Sequence, residues 1–348
     1  MTPRLVSIIL PVFNGEAHLR EALQAALGQT YPNIEVIVVD DGSNDRSAAI
    51  VNELARQDHR IRMVSQSNKG VAAARNTAIA NAKGDFIAPL DADDIWDRRK
   101  IELQMAQMAP AGRSVPGFVY CWWAWIGLHG DVLDVSPSWE IEGHVVEQLL
   151  EVNFTGNASV PLFRRDCIEE VGGYSTRLRE QGGEGCEDWD LAIRIAERYE
   201  VAVVPKVLVA YRRRADGMSN APDRMQRSQV LLIEGLRARQ PELADRVEQR
   251  SRAQLALHLA GVSFWSGNYA RAIRSGVTAL RSGVGFEVLP FLPRIFLRKL
   301  LKNHAPPNVC IADGDFSACE FPHALIPYDR IYARRHAGFM PRGRKRGS

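Results

Sequence analysis

The sequence predicts an α/β fold, with a mostly parallel sheet flanked by helices, followed by an α-helical C-terminal region. Strand and helix patterns alternate over the first hundred residues, and strand patterns cease after about residue 220. Strands separated by helices of this length form βαβ units, which build parallel sheets. Polar clusters directly follow several of the predicted strands. Ligands bind such sheets at the carboxyl ends of the strands, so the function is expected there.

The composition is that of an ordinary globular protein. Of 348 residues, 46% are hydrophobic and 24% are charged, which excludes disordered, collagen-like and disulfide-scaffold classes. A formal charge of only +3 gives no support for a nucleic-acid partner. The five cysteines are widely spaced and form no C-x-x-C pair, so neither a disulfide framework nor a zinc site is indicated. A reducing, cytoplasmic location is expected.

The predicted elements follow the hydrophobic periodicity. In the first part of the chain, strands are predicted at residues 6–12, 35–39, 61–64 and 86–90, and helices at 16–27, 47–55, 71–82 and 98–108. Later strands are predicted at 118–126, 159–164, 201–204 and 207–211, and helices at 166–171 and from about 187. Residues 118–126 contain Trp122, Trp123 and Trp125, and alternation along a strand predicts that at least one ring faces a cleft or a partner.

The first polar cluster, Asp40-Asp41-Gly42-Ser43, follows the strand at residues 35–39. A carboxylate at a strand end, followed by a glycine turn and a helix, can accept a hydrogen bond from the base or ribose of a nucleotide. The alternative is that Asp41 or Ser43 caps the helix that follows. The spacing alone does not separate these two interpretations.

The second cluster, Asp91-Ala92-Asp93-Asp94, follows the strand at residues 86–90. Alternating carboxylates bring hard oxygen ligands together, as Mg²⁺ or Mn²⁺ requires, and these ions need only one or two protein carboxylates when they bind substrate phosphates. The alternative is that Asp94 or Asp97 caps the next helix. The position of the cluster at a strand end, like that of Asp41, favours the functional interpretation.

The third cluster, Glu187-Asp188-Trp189-Asp190, opens a helix behind the glycine-rich residues 182–185. Asp188 is a candidate general base. The alternative is that these acidic residues only complement the positive end of the helix dipole.

Taken in order, these clusters resemble the motif series of family 2 glycosyltransferases. The matching segments are VSIILPVFN (6–14), VVDDGS (38–43), NKGVAAARN (68–76), LDADD (90–94) and EDWD (187–190), with GGY (172–174) and YR (211–212). The match covers about residues 5–215. It implies a GT-A fold, a nucleotide-diphospho sugar donor, a divalent metal and inversion at the anomeric carbon.

The resemblance also implies a role for each matching residue. Asp93 would bind the metal with Asp94 nearby, and Asp188 would be the base. The residues that would bind the nucleotide-sugar are Pro11, Val12, Asp41, Asn68, Gly70, Arg75, Asp91, Ala92, and Arg212 or Arg214. Within this set Asp41 would receive the base, Asp91 would lie near the ribose, and one arginine would contact the diphosphate. Three successive arginines at 212–214 stand where the family often has histidine, so the phosphate contact is open between Arg212 and Arg214.

The sequence therefore predicts a metal-dependent (Mn²⁺ or Mg²⁺), inverting glycosyltransferase. The expected donor is a UDP-sugar, and the expected acceptor is a hydroxyl of a cell-surface glycan, a lipid-linked saccharide or another saccharide. The alternative is a non-catalytic module that binds sugar nucleotides or proteins with the same fold. Such a module would be expected to lack one carboxylate, whereas both Asp93 and Asp188 are present. A nucleotidyltransferase would require a glycine-rich phosphate loop after the first strand, and only Gly15 stands there.

Three regions are predicted: a catalytic domain (1–220), a helical extension (221–304) and a basic tail (305–348). Within the extension, residues 260–280 match either a single tetratricopeptide-like hairpin or an ordinary helical hairpin. Residues 291–348 contain eleven Lys and Arg against four Asp and Glu. This excess predicts either peripheral contact with an anionic membrane surface or a solvated, partly disordered end. The N-terminus shows no signal-peptide core, and no apolar run approaches the roughly 20 residues of a membrane span.

Overall fold

A computed structural model describes residues 3–108, 114–183, 185–214, 222–265, 267–281 and residue 316. The first part alternates strands and helices as the sequence predicts. Its elements are β1 (Val6–Val12), α1 (Leu19–Leu27), β2 (Ile34–Asp40), α2 (Ser47–Gln57), β3 (Ile61–Ser65), α3 (Val71–Asn81), β4 (Phe86–Pro89), β5 (Ile95–Trp96) and α4 (Lys100–Met108). All seven residues of β1 are buried, as expected of a central strand in a parallel sheet covered by helices.

The second part is built from shorter and more irregular elements. They are β6 (Phe118–Ile126), β7 (Val132–Val135), α5 (Val146–Glu151), β8 (Leu162–Arg164), α6 (Arg165–Glu170), α7 (Arg177–Glu180), α8 (Glu187–Ala196) and β9 (Val201–Arg212). Three helices follow: α9 (Pro222–Arg239), α10 (Pro241–Trp265) and α11 (Tyr269–Arg281).

The nine strands of the described residues form one sheet in the order β3-β2-β1-β4-β8-β6-β9-β5, with β7 paired to β6. The strands β1 to β4 are mutually parallel, and β6 is parallel to β9. Because β8 is antiparallel to both β4 and β6, the strands β4 and β6 run in the same direction. The ends of β1, β2, β4, β6 and β9 therefore meet at one edge, which we call the C-terminal edge. The predicted α/β class with a mostly parallel sheet is confirmed.

Several element boundaries differ from the prediction. Helix α1 begins at Leu19 and not at residue 16, because the backbone N–H groups of Asn14 and Glu16 donate to Ser43 Oγ and an Asp45 oxygen in the loop after β2. The two strands predicted around Pro205 are one strand, β9. Its register against β6 shifts at this point, which accommodates a residue without an N–H group. The short elements β5, β7, α5 and α7 were not predicted.

The C-terminal helices pack on the same core as the sheet. Leu232, Leu236 and Val247 of α9 and α10 are buried in one apolar cluster with the residues of β1 and β2. Helices α10 and α11 form the predicted hairpin, which turns at Gly267 and Asn268. The division into three regions remains a prediction.

Much of the basic region lies outside the described residues, including residues 291–302. Of the tail at 305–348, only Phe316 is described. Its side chain is buried, and its backbone N–H donates to an Asp97 oxygen at 3.0 Å. In the parts of the chain that the structure describes, no helix is long and apolar enough to cross a membrane.

Candidate functional site

The C-terminal edge brings the predicted clusters together. The turn at residues 91–94 follows β4, Asp41 follows β2, and Arg212 ends β9. The start of α8, with Glu187 and Asp188, reaches the same place, although it is about a hundred residues from the β4 turn in sequence.

Arg75 joins two of these clusters. It lies on α3 and is 1% exposed, and its guanidinium donates to Asp91 Oδ1 at 2.6 Å and to Glu187 Oε1 at 2.8 Å. The Glu187 side chain is only 7% exposed. The guanidinium also stacks over the Tyr174 ring, 5.3 Å from its centroid. A buried arginine held between two carboxylates fixes the turn after β4 against the start of α8.

Asp188 stands beside this ion pair and is half-buried. Burial, reinforced by the neighbouring Glu187 carboxylate, raises the pKa of Asp188 to about 7, although Arg75 opposes the shift. One Asp188 oxygen accepts the backbone N–H of Trp189 at 2.7 Å, so the carboxylate is held at the first turn of α8. A carboxylate whose pKa lies near neutral pH can take a proton from a hydroxyl efficiently.

Asp93 has the properties of a metal ligand. Burial and the nearby Asp91 carboxylate raise the pKa of Asp93 to about 6, so negative charge is crowded here. Arg214 Nη1 lies 3.7 Å from Asp93 Oδ2 and offsets part of this charge. In the described parts of the chain, no group of three or more His, Cys, Asp or Glu side chains could hold a metal by itself. The donor set therefore fits an ion that takes one or two carboxylates and completes its shell with phosphate oxygens.

Asp94, expected near the metal ligand Asp93, is held by hydrogen bonds to three protein partners. One of its oxygens accepts Asn157 Nδ2 at 2.7 Å and Ser159 Oγ at 2.6 Å, and the other accepts the Arg212 N–H at 3.0 Å. It is fully buried, and burial raises its pKa well above the usual value. Asp94 thus ties the β4 turn to the segment before β8 and to the end of β9. The helix cap at α4 comes from Asp97, which accepts the Arg99 N–H.

Asp41 holds the loop before α3. Its two oxygens accept three hydrogen bonds, from Gln66 Nε2 at 2.7 Å and from the backbone N–H groups of Lys69 and Gly70 at 2.8 Å. Its own N–H donates to the Val12 carbonyl at 2.8 Å. In the parallel ladder Pro11 lies beside Val39, so the end of β1 adjoins Asp41 as expected.

Neither Asp41 nor Ser43 caps the next helix, so that alternative is wrong. Helix α2 begins at Ser47, and the Ser47 N–H donates to Asp45 Oδ1. Ser43 Oγ accepts the Asn14 N–H and links the loops after β1 and β2.

The loop that Asp41 holds is covered by α7. Arg179 donates to Asn68 Oδ1 at 2.9 Å, and a Cβ placed on Gly70 would lie 2.1 Å from Arg179 Nη1. Gly70 also has φ +90°, so a side chain there would be strained as well as crowded. The cleft beside this loop includes Thr176, Arg179 and Glu187 in its lining.

The two candidate arginines have different surroundings. The Arg212 side chain is buried, and it donates to the carbonyls of Asp93, Gly127 and Leu128 and to Glu21 Oε2 at 2.6 Å. Every nitrogen of this guanidinium therefore has a protein acceptor. Arg214 is more exposed and approaches the Asp93 carboxylate. Ala92, between Asp91 and Asp93, is half-buried beside Gly15.

Sequence reasoning did not identify the supporting partners. Glu187 was noted only as part of an acidic helix start, and its pairing with Arg75 spans 112 residues. Asn157 and Ser159, which fix Asp94, lie in a segment without a recognisable motif. The only signal available was their polarity next to a predicted strand.

The comparisons with known proteins agree with this geometry. Residues 7–124 match the family model described as Glycosyl transferase family 2. An uncharacterized glycosyltransferase of Haemophilus influenzae is 42% identical over 106 residues, which are 30% of this chain and 42% of that protein. The Escherichia coli protein WfgD, named as a UDP-Glc:alpha-D-GlcNAc-diphosphoundecaprenol beta-1,3-glucosyltransferase, is 44% identical over 109 residues, 31% of this chain and 42% of that protein. The chain thus spans less than half the length of these curated relatives.

Solved structures show the same fold. Staphylococcus aureus TarS 1–349 in complex with UDP-GlcNAc gives a TM-score of 0.57 at 16% identity, covering 81% of this chain and 93% of that chain. The mannosyltransferase PcManGT from Pyrobaculum calidifontis, in complex with GDP-Man and Mn²⁺, gives 0.54 at 19% identity, covering 89% and 83%. The chain therefore has the GT-A fold of these structures, and its residues 7–124 are similar to glycosyl transferase family 2.

Proposed function

We propose that the protein is an inverting, metal-dependent glycosyltransferase that moves a sugar from a nucleotide-diphospho sugar to a hydroxyl of a saccharide acceptor. One observation carries the proposal: Arg75 bridges Asp91 and Glu187, and so brings the metal-binding turn and the candidate base into one site. A module that only binds a ligand would not need a carboxylate with a pKa of about 7, such as Asp188, beside a nucleotide site.

In this proposal the nucleotide lies over the ends of β1 and β2. Asp41 exchanges one of its loop hydrogen bonds for the base, and Asn68 and Gly70 border the nucleotide beneath Arg179. Asp91 lies near the ribose and is oriented by Arg75. We assign the diphosphate contact to Arg214 because all three nitrogens of the Arg212 guanidinium already donate to protein acceptors.

Asp93 would hold the divalent metal, Mn²⁺ or Mg²⁺. When bound, such an ion neutralises charge on the leaving diphosphate. Asp188 accepts the proton of the attacking hydroxyl, which then forms the new bond on the face of the anomeric carbon opposite the diphosphate. The C–O bond to the diphosphate breaks, and displacement from the opposite face inverts the configuration.

The ligands named for relatives and structural neighbours support a nucleotide-sugar donor. UDP-Glc stands in the name of WfgD, and UDP-GlcNAc and GDP-Man are present in the TarS and PcManGT structures. Because two of these three carry uridine, we propose a UDP-sugar. The lipid-linked saccharide in the name of WfgD supports a saccharide or lipid-linked acceptor, as in the synthesis of a surface polysaccharide.

The test is a screen of UDP- and GDP-sugars for nucleotide release with Mn²⁺, with Mg²⁺ and with a chelator. We expect nucleotide release from one of these donors, and we expect the chelator to abolish this release. The anomeric configuration of a transferred product, measured by proton NMR, should be opposite to that of the donor. Binding of no nucleotide sugar, or retention of configuration, would contradict the proposal.

A further inference from the structure

Two buried polar atoms on the β6 side of the C-terminal edge have no hydrogen-bond partner among the described residues. They are Nε1 of Trp123, whose residue is 4% exposed, and Oδ1 of Asn157, whose residue is 8% exposed. Buried donors and acceptors are normally paired, and an unpaired one costs free energy. A donor and an acceptor left unpaired on neighbouring residues point to a ligand.

The two residues are neighbours in the structure. Gly156, directly before Asn157, packs against the six-membered ring of the Trp123 indole, since a Cβ placed on Gly156 would lie 2.9 Å from Cδ2, Cε3 and Cζ3. Gly156 also has φ +76°, which favours glycine at this close approach. The Asn157 side chain in turn contacts Asp94, the residue after the proposed metal ligand Asp93.

Both side chains are held in place by other bonds. Asn157 Nδ2 donates to Asp94 Oδ2 at 2.7 Å, which leaves Oδ1 as the unpaired end of the amide. The Trp123 backbone exchanges two hydrogen bonds with Ser136, at 3.1 Å and 2.8 Å. The unpaired atoms are therefore parts of a preorganised site.

The location of this pair separates it from the nucleotide site. Asp41 and Asn68 lie near the ends of β1 and β2, whereas Trp123 lies on β6, two strands beyond β4 in the sheet. The turn that carries Asp93 stands between them. A group bound at Trp123 and Asn157 would thus be on the far side of the metal turn from the nucleotide.

We propose that Trp123 and Asn157 form a subsite for the saccharide acceptor, which binds a neutral group that both accepts and donates a hydrogen bond. Such groups are a sugar hydroxyl and an acetamido substituent. The indole N–H donates to the oxygen of the group, and Asn157 Oδ1 accepts its O–H or N–H. An anionic group is disfavoured because Asn157 presents an oxygen and Asp94 lies next to it. This inference rests on the proposed function.

Trp122 provides an internal control. It is on the same strand, but its Nε1 already donates to the Trp139 carbonyl at 2.8 Å. A ligand at the proposed subsite should change the environment of the Trp123 indole N–H and leave that of Trp122 unchanged.

The experiment is an NMR titration of the ¹⁵N-labelled indole groups of the full chain with UDP and Mg²⁺ present. The chain has seven tryptophans, and the Trp123→Phe and Trp122→Phe variants assign the two signals. The probes are methyl β-glucopyranoside and its 2-acetamido analogue. We expect the Trp123 signal to move downfield. If the subsite binds a sugar hydroxyl, both probes should cause this shift. If it binds the acetamido group, only the 2-acetamido probe should cause it. Trp123→Phe should weaken probe binding about two- to tenfold, the effect of one hydrogen bond, and Trp122→Phe should not.

Three results would overturn the subsite. The first is that the Trp123 signal responds to neither probe. The second is that the Trp123 indole proton exchanges with water and shows no other change. The third is that the signal responds to UDP-sugars and not to the glycosides, which would assign the site to the donor sugar. Failure of UDP itself to bind would count against the proposed function, and the glycoside titration without UDP would still test the subsite.

Discussion

The two sides of the C-terminal edge are built differently. On the nucleotide side, β1, β2 and β4 are parallel neighbours, and each functional residue follows its own strand directly. On the other side, the reversed strand β8 separates β4 from β6, and side chains are held by partners distant in sequence. Asn157 reaches Asp94 across 63 residues, and Arg212 reaches Glu21 across 191. The comparison teaches that the proposed binding residues are specified locally, whereas the side chains that hold them and the proposed base in place depend on the complete fold.

The largest expected effect separates chemistry from nucleotide binding. Asp188→Asn keeps the shape but removes the proton acceptor, so turnover should fall by roughly two to four orders of magnitude. Donor affinity should remain unchanged because the proposed nucleotide site lies at the ends of β1 and β2. Turnover and calorimetric UDP affinity of the purified variant test this expectation. A folded variant with near wild-type turnover would remove Asp188 from its role.

The raised pKa of Asp188 also predicts the pH dependence. The base acts only when ionised, so the rate should rise with pH up to about 7 and level off above it. Because the folded-state pKa is raised above the unfolded value of 3.8, ionisation of Asp188 lowers stability as pH rises through about 7. At pH 8, Asp188→Asn should therefore unfold at a higher temperature than the wild type. A lower midpoint would indicate that Asp188 serves the helix dipole instead.

The second-largest expected effect is a loss of stability when the buried ion pair between Arg75 and Glu187 is broken. Arg75→Met leaves Glu187 buried without a counter-charge and should lower the free energy of unfolding by about 3–5 kcal/mol. The matched control is Arg20→Met, because the Arg20–Glu53 pair has a distance of 2.7 Å but side chains that are 42% and 49% exposed. Loss of that pair should cost about 0.2–1 kcal/mol.

Urea unfolding of both variants provides the measurement. The double variant Arg75→Met/Glu187→Gln should recover part of the loss, since it removes the unpaired charge. Equal effects of Arg75→Met and Arg20→Met would show that the buried bridge does not hold the site together.

How much of the structure could be predicted from the sequence also differs between the two sides of the C-terminal edge. The elements from β1 to α4, except for β5, were predicted to within three residues at each boundary, because regular periodicity marks buried strands and amphipathic helices. Asp41, Asp93 and Asp188 were proposed as site residues from short contiguous motifs, and the fold brings the segments that carry them to one edge of the sheet. The role of Asp94, the pairing of Glu187 and the contacts of Asn157 were not recognised, since each depends on segments that only the folded sheet brings together. The two-residue strand β5 is defined by its pairing with β9 and has no pattern of its own.

A third effect distinguishes two adjacent carboxylates. Asp93→Asn should weaken UDP binding in the presence of Mn²⁺ by about tenfold to a hundredfold, because a metal ligand contributes at least as much as its supporting partners. Its thermal midpoint should stay close to that of the wild type. Asp94→Asn should instead lower the midpoint, since an amide cannot accept from Asn157, Ser159 and Arg212 together.

Calorimetry with and without Mn²⁺, and thermal unfolding of both variants, would check this pair. An Asp93→Asn variant with unchanged metal-assisted affinity would exclude Asp93 as the ligand.

The smallest expected effect is that of replacing Arg214, which lies two residues after the end of β9 and approaches Asp93. Arg214→Gln should weaken UDP binding about two- to tenfold, the effect of one hydrogen bond to an exposed phosphate group. Uridine, which has no phosphate, should bind both proteins equally. Arg212→Gln removes four donated hydrogen bonds and should mainly lower stability, leaving the UDP affinity of the folded fraction near that of the wild type. If UDP affinity depended on Arg212 and not on Arg214, the buried guanidinium would have to leave its four protein acceptors to reach the phosphate. In that case the end of β9 would rearrange on binding and would belong to the nucleotide side of the edge.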